Sequence, residues 1–414
     1  MVAAACTPLT QSSTNSPANP KTLRYEDFTY EKEIQTVRLF PQGAPLAPAV
    51  ARVGQANLML EFDDLTTERD TYYGRVVHCN FDWTPSALQD LDFLTMYNEF
   101  PFNNAEFSID THLPYVHYWI QVPPVKLPGN YLYVVYRGSN KEDVVLSRRF
   151  MVYDMQVAFT REGRLIGSGA VADLNQQINF TVNHANVEIL NPMQDVHVTI
   201  RQNQRWDNIA HDIRPSFVRD IEKELEYRFF DDSKMFKGGN EFRFFDIRSL
   251  NFPGRNVAFV DKKVKPYEIY VAKDKSRQDE AYAQYDEMNG NYIIENYDYR
   301  DLAYSNYAYV NFSLASKPVK GDVFVQGAFN NWALNARNKM TYDTTQQLYK
   351  ARILLKQGWY DYQYYVRSQD MPPYFLEGSH FQTENLYEVF VYYRAFKPRA
   401  DLLIGYMVLE ENPR

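Results

Sequence analysis

Residues 58–65 read LMLEFDDL, and after a short polar break residues 72–85 read YYGRVVHCNFDWTP. Leu58, Leu60 and Phe62 alternate with less apolar types, the two-residue period of a half-buried strand. The second run ends on His78, Cys79, Asn80, Phe81, Asp82 and Trp83. Thr84 and Pro85 follow, and they predict a short helix over 84–94 with Thr84 as its cap. So many polar and aromatic types at one strand end have two readings, a catalytic group or a polar network pinning a domain corner. The rule that buried polar groups serve hydrogen bonding favours the second. His78 and Cys79 are strand neighbours and point to opposite faces, which excludes a thiol–imidazole nucleophile. Cys79 then reads as a small buried apolar group.

Working outward, short runs of strand character recur, punctuated by Pro, Gly and Asn. Those at 37–40, 57–62, 74–77, 117–122, 130–136 and 149–152 predict an antiparallel sandwich over residues 23–154. Runs at 178–182, 196–200, 242–246 and 257–260 predict a second sandwich over 155–300, with a helical turn within the charged segment 216–227. Runs at 310–314, 323–325, 349–354, 360–366 and 387–393 predict a third over 301–395, followed by a tail at 396–414. The expected fold class is therefore all-β, with three immunoglobulin-like sandwiches in series behind a flexible N-terminal tether at 1–22.

The bulk composition agrees with globular domains. Of 414 residues, 45% are hydrophobic and 23% charged, and no apolar run is long enough to span a bilayer as a helix. A net charge of -8 argues against a surface that tracks phosphates, so nucleic acid is not an expected partner. The 33 Tyr and 27 Phe suit pleated half-buried surfaces or, alternatively, wet binding faces. Two cysteines, Cys6 and Cys79, cannot make a disulfide framework. Residues 3–6 (AAAC) resemble a bacterial lipobox, so Cys6 is a candidate lipid attachment site. The Ser, Thr, Asn and Pro after it fit a tether, although only five residues precede the cysteine.

Several long motifs carry a family resemblance. FDDL and HCNFDW are joined by YVHYWIQVP at 115–123, PGNYLYVVY at 128–136, RRFMV at 148–152 and RQNQRWDN at 201–208. GGNEFRFFDIRSL at 238–250 and EGSHFQTENLYEVFVYYR at 377–394 complete the set. Together they resemble the type IX secretion system plug protein family of Bacteroidota, over about residues 23–394. The signature residues are Asp63, Asp64, His78, Cys79, Asn80, Asp82, Trp83, Arg148, Arg149, Trp206, Asn240 and Glu241. The resemblance implies a non-enzymatic protein of the periplasm, at the inner face of the outer membrane. Its partner would be the translocon barrel, whose pore it would seal when no substrate is present.

The third unit also resembles glycogen-binding immunoglobulin-like domains, in VFVQGAFNNW at 323–332 and GWYDYQYYV at 358–366. That family uses aromatic faces for sugar rings and Lys and Asn for hydroxyls. Asn330, Trp332 and Asn385 are the matching candidates, whereas Gln363 replaces the lysine and no second tryptophan follows. The alternative reading is accordingly a cell-envelope module that recognises glycan or peptide through this domain. Paired acids at Asp63-Asp64 and Asp231-Asp232 diverge on strands or form turns. The seven histidines lack metal-ligand spacing, and no nucleotide or serine-hydrolase motif is present. No catalytic residue, metal ligand or cofactor site is expected.

Overall fold

The computed structural model describes residues 21–55, 57–163, 170–229 and 235–413. Cys6, most of the expected tether and the Asp231-Asp232 pair lie outside them. Lys21 belongs to the first domain rather than to a tether, since its ammonium pairs with Asp143 at 2.6 Å.

The first domain is the expected sandwich. One sheet orders Phe28–Thr29, Val144–Tyr153, Gly129–Arg137, Tyr72–Cys79 and Phe100–Pro101, with Val50–Arg52 added in parallel to the second of these. The facing sheet orders Ile34–Pro41, Leu58–Asp64, Val116–Gln121 and Asn104–Phe107. Leu58, Leu60 and Phe62 have no exposed surface, as their alternation predicts. Phe62 stacks on Tyr118 and meets Tyr72 edge-on, with ring centroids 5.2 Å apart in both cases. The helix expected over 84–94 shrinks to one turn, Asp90–Phe93. Residues 80–84 instead form a tight turn, in which Trp83 N–H donates to Asn80 O and Asn80 N–H to Thr84 O. A bridge between Cys79 and Pro85 then holds Pro85 against the sheet.

The second and third domains depart from the expected serial order. In the second, one sheet runs Ala158–Arg161, Phe180–Asn183, Glu224–Tyr227, Phe217–Arg219. The other runs Ile209–Ile213, Val196–Gln202, Asn385–Arg394, Asp401–Glu411. The strand expected to close the third unit therefore completes the second, and the expected tail is its 11-residue edge strand. Tyr387, Val389 and Val391 are fully buried in that domain's core, alongside Val196, Val198 and Ile200. The expected helical turn at 216–227 is a hairpin, with Lys223 in the left-handed region at φ 58°.

The third domain is an insertion. Its strands run from Arg243–Asp246 to Gly358–Arg367, so residues 243–300, expected in the second unit, belong here. Phe245 stacks on Tyr360 and meets Phe312 edge-on at its centre. Two chain segments cross between these domains side by side. His380 N–H donates to Gly239 O at 2.8 Å, and the Thr383 hydroxyl donates to the same oxygen at 2.9 Å. Gly238 permits this approach, because a Cβ there would lie 2.0 Å from His380 O. Gly238→Ala should force the two crossings apart and lower stability by about 1–3 kcal/mol, read as a fall in the thermal midpoint.

Candidate functional site

Several of the signature residues lie at the junctions between the three domains. The 80–84 turn of the first domain docks on the second. Phe81 stacks on His197 at 3.9 Å and on His211 at 5.1 Å, and its N–H donates to Asp401. Trp83, held at φ 66°, meets Trp206 edge-on at 5.0 Å. The Arg149 guanidinium lies over both indoles, 4.4 Å from Trp83 and 5.0 Å from Trp206. Below them Cys79, Leu132 and Met151 pack against Phe390, Tyr392 and Leu403. Asn80 and Asp82 shape the turn: Asn80 accepts from Arg394, while Asp82 accepts from the Thr84 backbone and hydroxyl. The polar-network reading of HCNFDW describes this corner.

His78 and Cys79 face opposite ways, as strand geometry requires. The imidazole meets Tyr131 edge-on at 5.0 Å and bonds the Ser86 hydroxyl at 3.0 Å. Burial pushes it down to about 4, so it stands neutral at physiological pH. Burial pushes the Cys79 thiol up to about 12, which keeps it protonated and unreactive.

Asp63 forms the joint with the inserted domain. Its carboxylate accepts from Tyr307 at 2.6 Å and from Lys356 at 2.7 Å, and it bonds His117 Nδ1 at 2.7 Å. The Asp63 and Lys356 side chains are only 1% and 4% exposed. Burial pushes the carboxyl up, but the Lys356 ammonium and the His117 bond outweigh it and hold the group well below the usual carboxylate range. Tyr115 seals the contact, donating to Leu302 O and Ser305 O under the Lys356 ammonium. Asp64 turns the other way and accepts from Tyr72 inside the first domain at 2.7 Å. The two acids diverge, which excludes a joint acid–base role.

Asn240 and Glu241 brace the crossing segments. Asn240 donates to Glu377 O, and Glu241, wholly buried, accepts from the Tyr282 hydroxyl and the Glu384 backbone. The glycan candidates are likewise engaged. Asn330 donates to Val325 O within its turn. Trp332 is 7% exposed beneath the Arg205 guanidinium, 4.2 Å from its ring. Asn385 belongs to the second domain, not the third, and donates to Gln176 and Gly238 O. They do not form one aromatic and amide platform for a sugar.

Between the domains lies a cavity of about 850 Å3. Its walls include Arg149 and Trp83 from the first domain, Trp206 from the second and Trp332 from the third, with residues 37–40 of the Ile34–Pro41 strand along one side. Sequence reasoning did not single out Lys356, Tyr307 or Tyr115. The signal available was Asp63 itself, an acid in an apolar strand that needs a buried cation. Among the described residues, no cluster of three or more His, Cys, Asp or Glu could hold a metal ion.

Two outcomes test these joints. Lys356→Met leaves Asp63 buried without its cation and should cost about 3–5 kcal/mol in urea unfolding, whereas the double variant Asp63→Leu/Lys356→Met should cost less than that single one. The folded His78 binds its proton less readily than the unfolded side chain, whose value is about 6.5. Its contribution is therefore complete above that pH and falls by up to roughly 3 kcal/mol as the pH drops toward 4. The non-titrating His78→Gln should flatten this part of a urea-midpoint profile.

Comparison with known proteins fits this architecture. A crystal structure of a hypothetical protein from Parabacteroides merdae ATCC 43184 is 27% identical, with a TM-score of 0.86, covering 94% of this chain and 100% of that one. No curated protein matches. Residues 34–154 match the family model described as the type 9 secretion system plug protein 1st domain. The N-terminal sandwich of this chain thus belongs to the type 9 secretion system plug protein family, as its first domain.

Proposed function

We propose that this chain is a non-enzymatic plug of type IX secretion, docking on the periplasmic side of the outer-membrane translocon and closing its pore when no substrate is present. The supporting observation is the way three folded domains are locked together. A pore seal must resist leakage with folded mass, so its parts cannot swing independently. Here the first domain is fixed to the second by the Phe81 and Trp83 contacts and to the third by the buried Asp63–Lys356 pair. Two crossing segments, bonded where His380 N–H donates to Gly239 O, fix the third domain to the second.

A non-catalytic role is supported by the use of the signature side chains, which act in packing and hydrogen bonding between domains. Among the described residues, no helix is long and apolar enough to cross a membrane, so attachment would rest on the barrel or on a lipid at Cys6. The family of the first domain supports the secretion role.

The decisive measurement is the conductance of the reconstituted translocon with and without this chain. The expected result is an open-pore conductance that falls on addition of the chain and returns on its removal. Unchanged conductance, together with no barrel recovered on a tagged copy from cell envelopes, would overturn the proposal. Under the alternative glycan reading, an array would give signals that depend on Trp332, and the plug reading expects none.

A further inference from the structure

The three-domain cavity holds two arginines whose charge is not neutralised in contact. Arg148 is 6% exposed, and among the described residues its guanidinium donates only to Ser147 O at 3.1 Å and Val37 O at 3.2 Å. Among the described residues the Arg149 guanidinium donates only to Tyr25 O, at 3.0 and 2.5 Å. Among the described residues, neither is in ion-pair contact with a carboxylate. The other arginines of the walls do have acid partners: Arg24 pairs with Glu26, Arg38 with Glu61 and Arg201 with Glu388. The acids of the walls are also engaged. Asp207 pairs with Arg205 and Asp82 accepts from Thr84, while Asp27 accepts from the Arg149 backbone at 2.7 Å and its charge acts on both guanidiniums without contact. The cavity thus presents two guanidiniums that lack contacting counter-charges, and buried charge of this kind is normally paired.

A second feature fixes the shape of the missing counterpart. The Ile34–Pro41 strand lines the cavity with residues 37–40 and, among the described residues, is the edge of its sheet and pairs only with Leu58–Asp64, with Val37 O held by Arg148. A bulge between Gln35 and Arg38 bends it, with Thr36 at φ 48°. An edge strand offers unpaired backbone groups to an added strand. Trp83, Trp206 and Trp332 line the same space, each beneath an arginine guanidinium. The volume lies within the range of ligand pockets.

We propose that this cavity binds an extended, acidic polypeptide segment, which adds to the edge of the Ile34–Pro41 strand and places a carboxylate against Arg149. Carboxylate–guanidinium contact supplies charge pairing, and main-chain bonds supply orientation. The proposal does not depend on pore sealing, since it is tested on the isolated full chain and stands or falls without the translocon.

The probe is a blocked hexapeptide alternating Glu and Val, titrated into the full chain while tryptophan fluorescence is followed. Its Lys-Val counterpart serves as the control. Saturable change with the acidic peptide alone is expected, with affinity reduced roughly tenfold or more in Arg149→Gln. Hydrogen exchange on the wild-type chain should show new protection at residues 37–40 under saturating peptide, which keeps the test sound if that variant folds poorly. Equal binding of both peptides, no binding of either, an unaffected folded variant, or absence of protection at 37–40 would each overturn the proposal. Displacement of the peptide by equimolar inorganic phosphate would also overturn it, by showing a site for simple anions.

Discussion

Everything in this molecule depends on one strand pairing, that of Val196–Gln202 with Asn385–Arg394. Seven residue pairs hold it, from Val196 opposite Tyr393 to Gln202 opposite Tyr387. Within it, Arg201 and Glu388 form a bidentate pair with both bonds at 2.8 Å, and their side chains are 4% and 0% exposed. An ion pair so deeply buried gains less in stability than it costs if broken, so its effect is to penalise any other register. With this pairing fixed, the segment between its strands must leave and return at one point. That requirement produces the inserted third domain. The same strand also presents Phe390 and Tyr392, on which the first domain rests.

The junctions share a chemical style. Tyrosines dominate the largest fully buried side chains, and most of their hydroxyls reach a polar partner. Tyr307 donates to Asp63, Tyr362 and Tyr364 both donate to Asp274, and Tyr387 donates to Gln176. A phenol buries a large ring while its oxygen settles a carboxylate or amide nearby. The abundance of tyrosine therefore reflects domain joints and cores as much as outward faces. Arginine adds the second element, its guanidinium lying over Trp83, Trp206, Trp332 and Phe390.

What could be read from the residues follows the range of the forces involved. The alternation at 58–62 is local, and it led directly to a strand with a buried face. HCNFDW was legible as a polar corner because so many hydrogen-bonding groups cannot be buried without partners. Thr84 and Pro85 offered a helix start, but no apolar period of 3.6 residues follows, and the turn bonds of 80–84 prevailed. The insertion left no local trace: strands 196–202 and 385–394 look alike whether they pair with each other or with nearer neighbours. Asn385 was placed with the sugar-binding turn for that reason, although its amide serves Gln176 and Gly238 O. Lys356, at the end of the Leu348–Lys356 strand, gave no sign of its partner in the first domain.

The split second domain bears on how the polypeptide matures. During synthesis the first sandwich has all of its strands by Tyr153, so it can close early. Its neighbour must wait with half a sheet exposed, through the whole of the inserted domain, until Asn385–Arg394 and Asp401–Glu411 have been synthesised. Such a nascent intermediate carries an open strand edge for most of its passage, which makes it a natural client for chaperones. Strands Asn385–Arg394 and Asp401–Glu411 thus complete the second domain, and a stop before them would leave it unfinished.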